Sequence, residues 1–153
     1  MTTKITALDD LILALVAAFD AAVTYPVTDG PPSKQMPRGT SKYLAVFASE
    51  AEDQSQADDS ATMEQSLYGL GQIAREETLN IKCVAGGRAR DVTQARSIAM
   101  SVVQDAGANI PKHPTNETYG CFISQVESAR PHNVAGGAVV TIQFTITASA
   151  RLT

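Results

Sequence analysis

Four side chains in this sequence, Cys83, His113, Cys121 and His132, are of types that hold metals or act as nucleophiles. No two are spaced as C-x-x-C or H-x-x-x-H, and they fall in separate predicted elements, so core thiols and loop imidazoles are the expected reading. Nothing in the order of the chain brings either histidine to a thiol, as a Cys–His nucleophile pair requires. Gly69-Leu70-Gly71-Gln72-Ile73-Ala74 has the form G-x-G-x-x-A of a dinucleotide-binding turn. That chemistry needs a helix to start at the glycines so that its N-terminus faces a pyrophosphate. Here a strand-like alternation follows, and a plain Gly-rich bend is expected. Residues 49–66 hold six acids and no base. They lack the D-x-D-x-D-G spacing and closing Glu of a calcium loop, and read as a solvated loop suited to docking a basic surface. No G-x-S-x-G and no P-loop occurs. The expectation is a protein without catalytic machinery, metal or cofactor.

Arg88 and Arg90 flank Gly86-Gly87, which is predicted to turn the chain before a second helix. Two readings stand for this pair. One is ordinary surface charge; the other is an interfacial ion pair, where the planar guanidinium fork is favoured.

The elements that must carry these residues follow from periodicity. Leu8, Leu11, Ile12, Leu15 and Phe19 recur at three- and four-residue steps, which predicts an amphipathic helix over 6–23 capped by Thr6. Asp9 and Asp10 add negative charge where the helix dipole favours it. Asp29-Gly30-Pro31-Pro32 excludes regular structure at that point. Strands are predicted over 41–48 and 72–84, and an exposed acidic loop over about 49–66. A second helix begins at Asp91, buries Ala95, Ile98, Ala99, Val102 and Ala106, and stops at Gly107. A strand over 119–130 and a hairpin loop over 131–137 lead to residues 138–152. There Val140, Ile142, Phe144, Ile146, Ala148, Ala150 and Leu152 alternate with polar partners, the pattern of a strand buried on one side.

A strand of about fifteen residues spans roughly 50 Å, against a usual strand of about 5–6 residues. One small domain is expected to leave its ends uncovered, so a neighbouring subunit is expected to pack on the overhang.

These pieces make one domain over 1–153: an α+β fold, mainly antiparallel β-sheet with two helices packed on one face. The hydrophobic fraction of 44% and charged fraction of 18% suit an ordinary globular chain. A formal charge of −4 argues against a protein that grips nucleic acid over its whole surface. Asp9, Asp10 and Asp20 bracket the apolar run over 11–19, which argues against an export signal or a membrane span. Two reduced thiols are expected rather than a disulfide.

The order of these segments is similar to that of the tail terminator (tail completion) proteins of long-tailed bacteriophages. The resemblance rests on an N-terminal helix and the Tyr25 to Pro32 segment, then Tyr43-Leu44-Ala45-Val46-Phe47 and Glu77-Thr78-Leu79-Asn80-Ile81-Lys82-Cys83-Val84. A Gly-Gly step, a helix with Ala95-Arg96 and the closing Thr147-Ala148-Ser149-Ala150-Arg151-Leu152 complete it, so it covers most of the chain. It implies a non-enzymatic virion protein that forms a homohexameric ring at the head-proximal end of the tail tube. The implied partners are other copies of the chain, the major tail tube protein and a head-completion or connector protein. Genome DNA passes through the lumen without specific binding, and no membrane is involved. The charged side chains expected at contacts between subunits or rings are Arg88, Arg90, Arg151, Asp58 and Asp59. The acidic 49–66 stretch exceeds what the family pattern requires. Another neck or tube subunit of the virion is the nearest alternative, and a small-ligand-binding cellular domain the more distant one.

Overall fold

The computed structural model describes residues 5–31, 41–49, 59–67 and 75–152. Along the chain run α1 (Leu8–Ala22), β1 (Val27–Asp29), β2 (Lys42–Val46), β3 (Ala61–Leu67), β4 (Arg75–Ala89), α2 (Val92–Asn109), β5 (Thr118–Val134) and β6 (Gly137–Leu152). The strands form one sheet in the order β1-β2-β4-β6-β5, with β3 beside β4. β2 takes residues 83–87 of β4 and β3 takes residues 75–81, so these two strands share one flank of β4 end to end. Among the described residues only the β1–β2 pair is parallel. The expected α+β class, with a mainly antiparallel sheet, is what the chain adopts.

The helices supply the layer that the apolar stripe of β6 requires. Leu11, Ile12, Leu15 and Phe19 of α1 are buried, as are Ala95, Ala99, Val102, Val103 and Ala106 of α2. They form one core with Leu79, Ile81 and Cys83 of β4 and with Ile142, Phe144 and Ile146 of β6. Burying each of the larger side chains contributes roughly 1.5–3 kcal/mol. Small residues on α2 let it lie close to the sheet. A methyl group on Gly87 would collide with the Ala95 carbonyl and come within 3.1 Å of Ile98 Cβ. Among the described residues no helix is long and apolar enough to cross a membrane.

Several expectations are corrected. Gly86 and Gly87 do not turn the chain; they lie inside β4, opposite Tyr43 and Lys42 on one side and Thr141 and Val140 on the other. They are small because the Tyr43 ring covers Gly86 and the α2 backbone presses on Gly87. The acidic stretch is not loop throughout. Residues 61–67 pair in register with β4, since β4 outruns β2 and needs a partner for its first seven residues. The acids at 50, 52, 53 and 58 lie outside the described residues, as does the Gly69–Ala74 bend. Asp29 closes β1 rather than standing in irregular structure.

Helix α2 passes through Gly107 to Asn109, with Pro111 two residues beyond its end. Residues 131–134 belong to β5, and the turn shrinks to Ala135-Gly136. Pro131 is tolerated there because β5 is an edge strand. The N-cap of α1 is Ala7, not Thr6, although the Thr6 hydroxyl accepts a hydrogen bond from Leu8 N–H at 3.2 Å.

The largest correction concerns β6. Fifteen of its residues pair with β4 and its other edge pairs with β5 along most of its length. Ala138 near one end and Leu152 at the other are both buried. The chain covers this strand by itself, because β4 and β5 are as long as β6 and two helices span the apolar face. Among the described residues no overhang is left for a neighbour.

Candidate interaction face

With both helices on one side, the other side of the sheet has no second layer among the described residues. Its residues are the ones that alternation places opposite the core. Across the sheet, Glu64, Thr78, Ser149 and Tyr119 share one row, and Thr62, Asn80, Thr147 and Phe122 the next. At the far end Arg88, Val139 and His132 share a row, beside Gly86, Thr141 and Arg130.

The centre of this face is a side-chain hydrogen-bond array. Glu127 accepts from Gln143 Nε2 and from Thr145 Oγ1, and Lys82 Nζ stands 4.0 Å from its carboxylate. Thr147 Oγ1 lies 2.7 Å from both Asn80 Oδ1 and Ser124 Oγ. Thr141, Gln143 and Thr145 are buried, so the polar stripe of β6 is not wet as its alternation suggests. Its position between two long strands lets their side chains close over it.

Charge and apolar area lie away from this centre. Tyr119 is 38% exposed, Phe122 52% and Val126 51%, all on β5, the edge strand of the sheet. Tyr119 and Phe122 face the open side, while Val126 stands opposite Phe144 of the core stripe. Three register shifts interrupt β5 between Tyr119 and Ser128. Bulges of this kind discourage unlimited strand addition at an edge. A depression of about 550 Å³ adjoins Tyr119 and is lined also by His113, Asn116, Glu117, Thr118 and Arg151.

The sequence-predicted contact residues separate into two groups. Arg88 and Arg90 are exposed at the hairpin end of β4, and Arg151 is exposed at the opposite end of the sheet, paired with Glu76. Arg88 is twelve residue steps along β4 from Glu76, about 40 Å along the strand. Asp59 is exposed beside the start of β3, and Asp58 lies outside the described residues.

Cys83 and Cys121 are free and buried in the core, as expected. Burial pushes the Cys83 thiol up to about 12, against a smaller downward pull from a hydrogen bond of the Phe47 backbone. Burial likewise raises Cys121 to about 11. Both stay protonated and unreactive near neutrality. His113 and His132 are exposed. Among the described residues no group of three His, Cys, Asp or Glu side chains is arranged to hold a metal.

Two features escaped the sequence reading. Glu77 is only 1% exposed, and its carboxylate accepts from Ala7 N–H at 2.8 Å and from Gln65 Nε2 at 2.6 Å. It thus ties the start of α1 and strand β3 to β4, and the dipole of α1 favours the negative group there. In sequence it stands beside Glu76 and reads as a solvated pair. Tyr25, just past α1, donates to Asp105 Oδ2 of α2 at 2.7 Å, and burial together with that carboxylate raises its pKa. The Lys42 ammonium sits 5.0 Å from the centre of the same ring.

The chain matches no protein-family model. It matches no curated protein sequence either.

Proposed function

We infer that the chain is a non-enzymatic structural protein of a phage virion, a tail terminator that forms a six-membered ring on the head-proximal end of the tail tube. The ring ends tube polymerisation and offers the surface on which a head-completion or connector protein docks. The order of segments described above supports the family. The observation that carries the assembly reading is the set Tyr119, Phe122 and Val126, exposed on a 17-residue edge strand. Exposed apolar side chains gathered on one strand mark a contact surface, and an edge interrupted by bulges favours a closed contact over endless strand addition. The support therefore comes from β5, not from the self-covered β6.

A terminator needs two unlike faces, one that copies the docking surface of a tube subunit and one that refuses a further ring. A head-to-tail ring with closed rotational symmetry provides that polarity. In this reading the sheet lines the ring, while helices and loops contact the rings above and below.

The test is to polymerise tube subunits with and without the protein and to measure tube length by electron microscopy. Shorter, capped tubes are expected. Tubes lengthened by incorporation of the protein would assign it to the tube itself, and unchanged lengths would remove the terminator reading.

A further inference from the structure

Exposed charges of opposite sign stand apart along β4. At the hairpin end Arg88 and His132 both pair with Val139, and Arg130 lies one row away opposite Thr141. Arg90 follows directly after β4. The nearest acid in sequence is Asp91, whose carboxylate accepts from Gln94 N–H at 2.8 Å at the start of α2. Toward β3 the balance reverses. Asp59 and Glu64 are exposed, and the 49–66 stretch that contains them has six acids and no base.

One copy cannot bring these groups together. Glu64 pairs with Thr78, ten residues from Arg88 along β4, a separation of about 33 Å. Ser60, next to Asp59, accepts from Lys82 N–H, six residues and about 20 Å from Arg88. A salt bridge needs its nitrogen and oxygen within about 4 Å, and both strands are fixed in the same sheet. A second copy meets the requirement without any strand moving.

We propose that the basic hairpin end of the sheet, Arg88 and Arg90, seats the acidic β3 margin, Asp59 and Glu64, of a second copy of this chain. The proposal rests on the ring reading only in needing that second copy. Because the contact joins unlike parts of the chain, every copy offers both halves. It sets direction and register, while the apolar side chains of β5 supply buried area. Charge pairs of this kind act more on steering and specificity than on raw affinity.

The test reverses each half separately, with Arg88→Glu plus Arg90→Glu in one variant and Asp59→Lys plus Glu64→Lys in another. All four side chains are exposed, so both variants keep the fold. Sedimentation velocity in low salt is expected to show the wild type associating and added salt weakening it. Each variant alone is expected to associate at least about tenfold more weakly. An equal mixture of the two recovers association, since every contact is then either natural or fully reversed. Variants that associate like the wild type, or a mixture that fails to recover, overturn the proposal and leave the ring reading standing. A wild type that stays monomeric in low salt also overturns it, whereas the ring reading is decided by the tube-length measurement.

Discussion

Replacing Gly87 by alanine tests whether the glycine pair serves close packing rather than a turn. The added methyl would collide with the Ala95 carbonyl oxygen and lie 2.5 Å from Ala99 N, where ordinary contact begins at 3.4 Å. Helix α2 must therefore retreat by about 0.9 Å, and the atoms in the way are backbone, which no rotamer change can move. A gap of about 0.5–1 Å forfeits a quarter to a half of each dispersion contact it opens. The retreat pulls Ala95, Ala99, Val102 and Ala106 from the sheet together, since one helix carries them all. Overpacking of this kind costs about 1–3 kcal/mol, and the upper end is expected here because the obstacle is rigid. Two controls separate packing from backbone freedom. Gly136 has a φ of 81° and open space around it, so Gly136→Ala is expected to cost about 1 kcal/mol through conformation alone. Gly107 lies inside α2 with its nearest neighbour, Ile123 Cδ1, at an ordinary 3.5 Å, so Gly107→Ala is expected to stabilise by up to about 1 kcal/mol. Urea unfolding followed by circular dichroism gives the three values. A loss below about 0.5 kcal/mol for Gly87→Ala would refute the packing account.

Other expectations follow from the same contacts. Glu77→Ala strips the partner from the buried Ala7 N–H and one of two acceptors from Gln65 Nε2, and a loss of about 2–4 kcal/mol in urea unfolding is expected, with fraying of α1 visible in hydrogen exchange. Tyr25→Phe removes one hydrogen bond between the end of α1 and α2 and is expected to cost about 1 kcal/mol. The Cys83 thiol is raised from 9.0 to about 12 in the folded chain. Its contribution to stability is complete below pH 9 and is lost as pH rises toward 12, because only the unfolded state gives up the proton in that window. Alkaline unfolding of Cys83→Ala should show a shallower decline there than the wild type, and an identical slope would reject the assignment. Neither thiol is expected to react with a disulfide reagent at neutral pH until the protein is unfolded.

The parts of the fold that were legible in the sequence are those written by simple periodicity. The strict alternation over 138–152 and the three- and four-residue steps of α1 each point to one face, and both elements lie where that pattern places them. What was hidden depends on contacts distant in sequence. The Gly86-Gly87 dipeptide has the composition of a turn, and only the Tyr43 ring and the α2 backbone reveal it as a close approach. Residues 61–67 carry few apolar side chains, and their strand exists because β4 offers seven residues for pairing. Glu77 looks solvated beside Glu76 until α1 folds back onto it. At the candidate face, Arg88 and Arg90 were visible as charges beside glycine, yet the distance that isolates them from Arg151 required the register of β4. The exposed side chains of β5 were invisible as such. A strand with Phe and Val reads as core until bulges turn it and the sheet ends there.

Native mass measurement of the protein, alone and bound to tail tubes, bears most directly on the ring. The account predicts an assembly six times the 16.1 kDa chain, in which Tyr119 and Phe122 gain protection from labelling. A single chain under both conditions, with those two side chains still open to solvent, would contradict it.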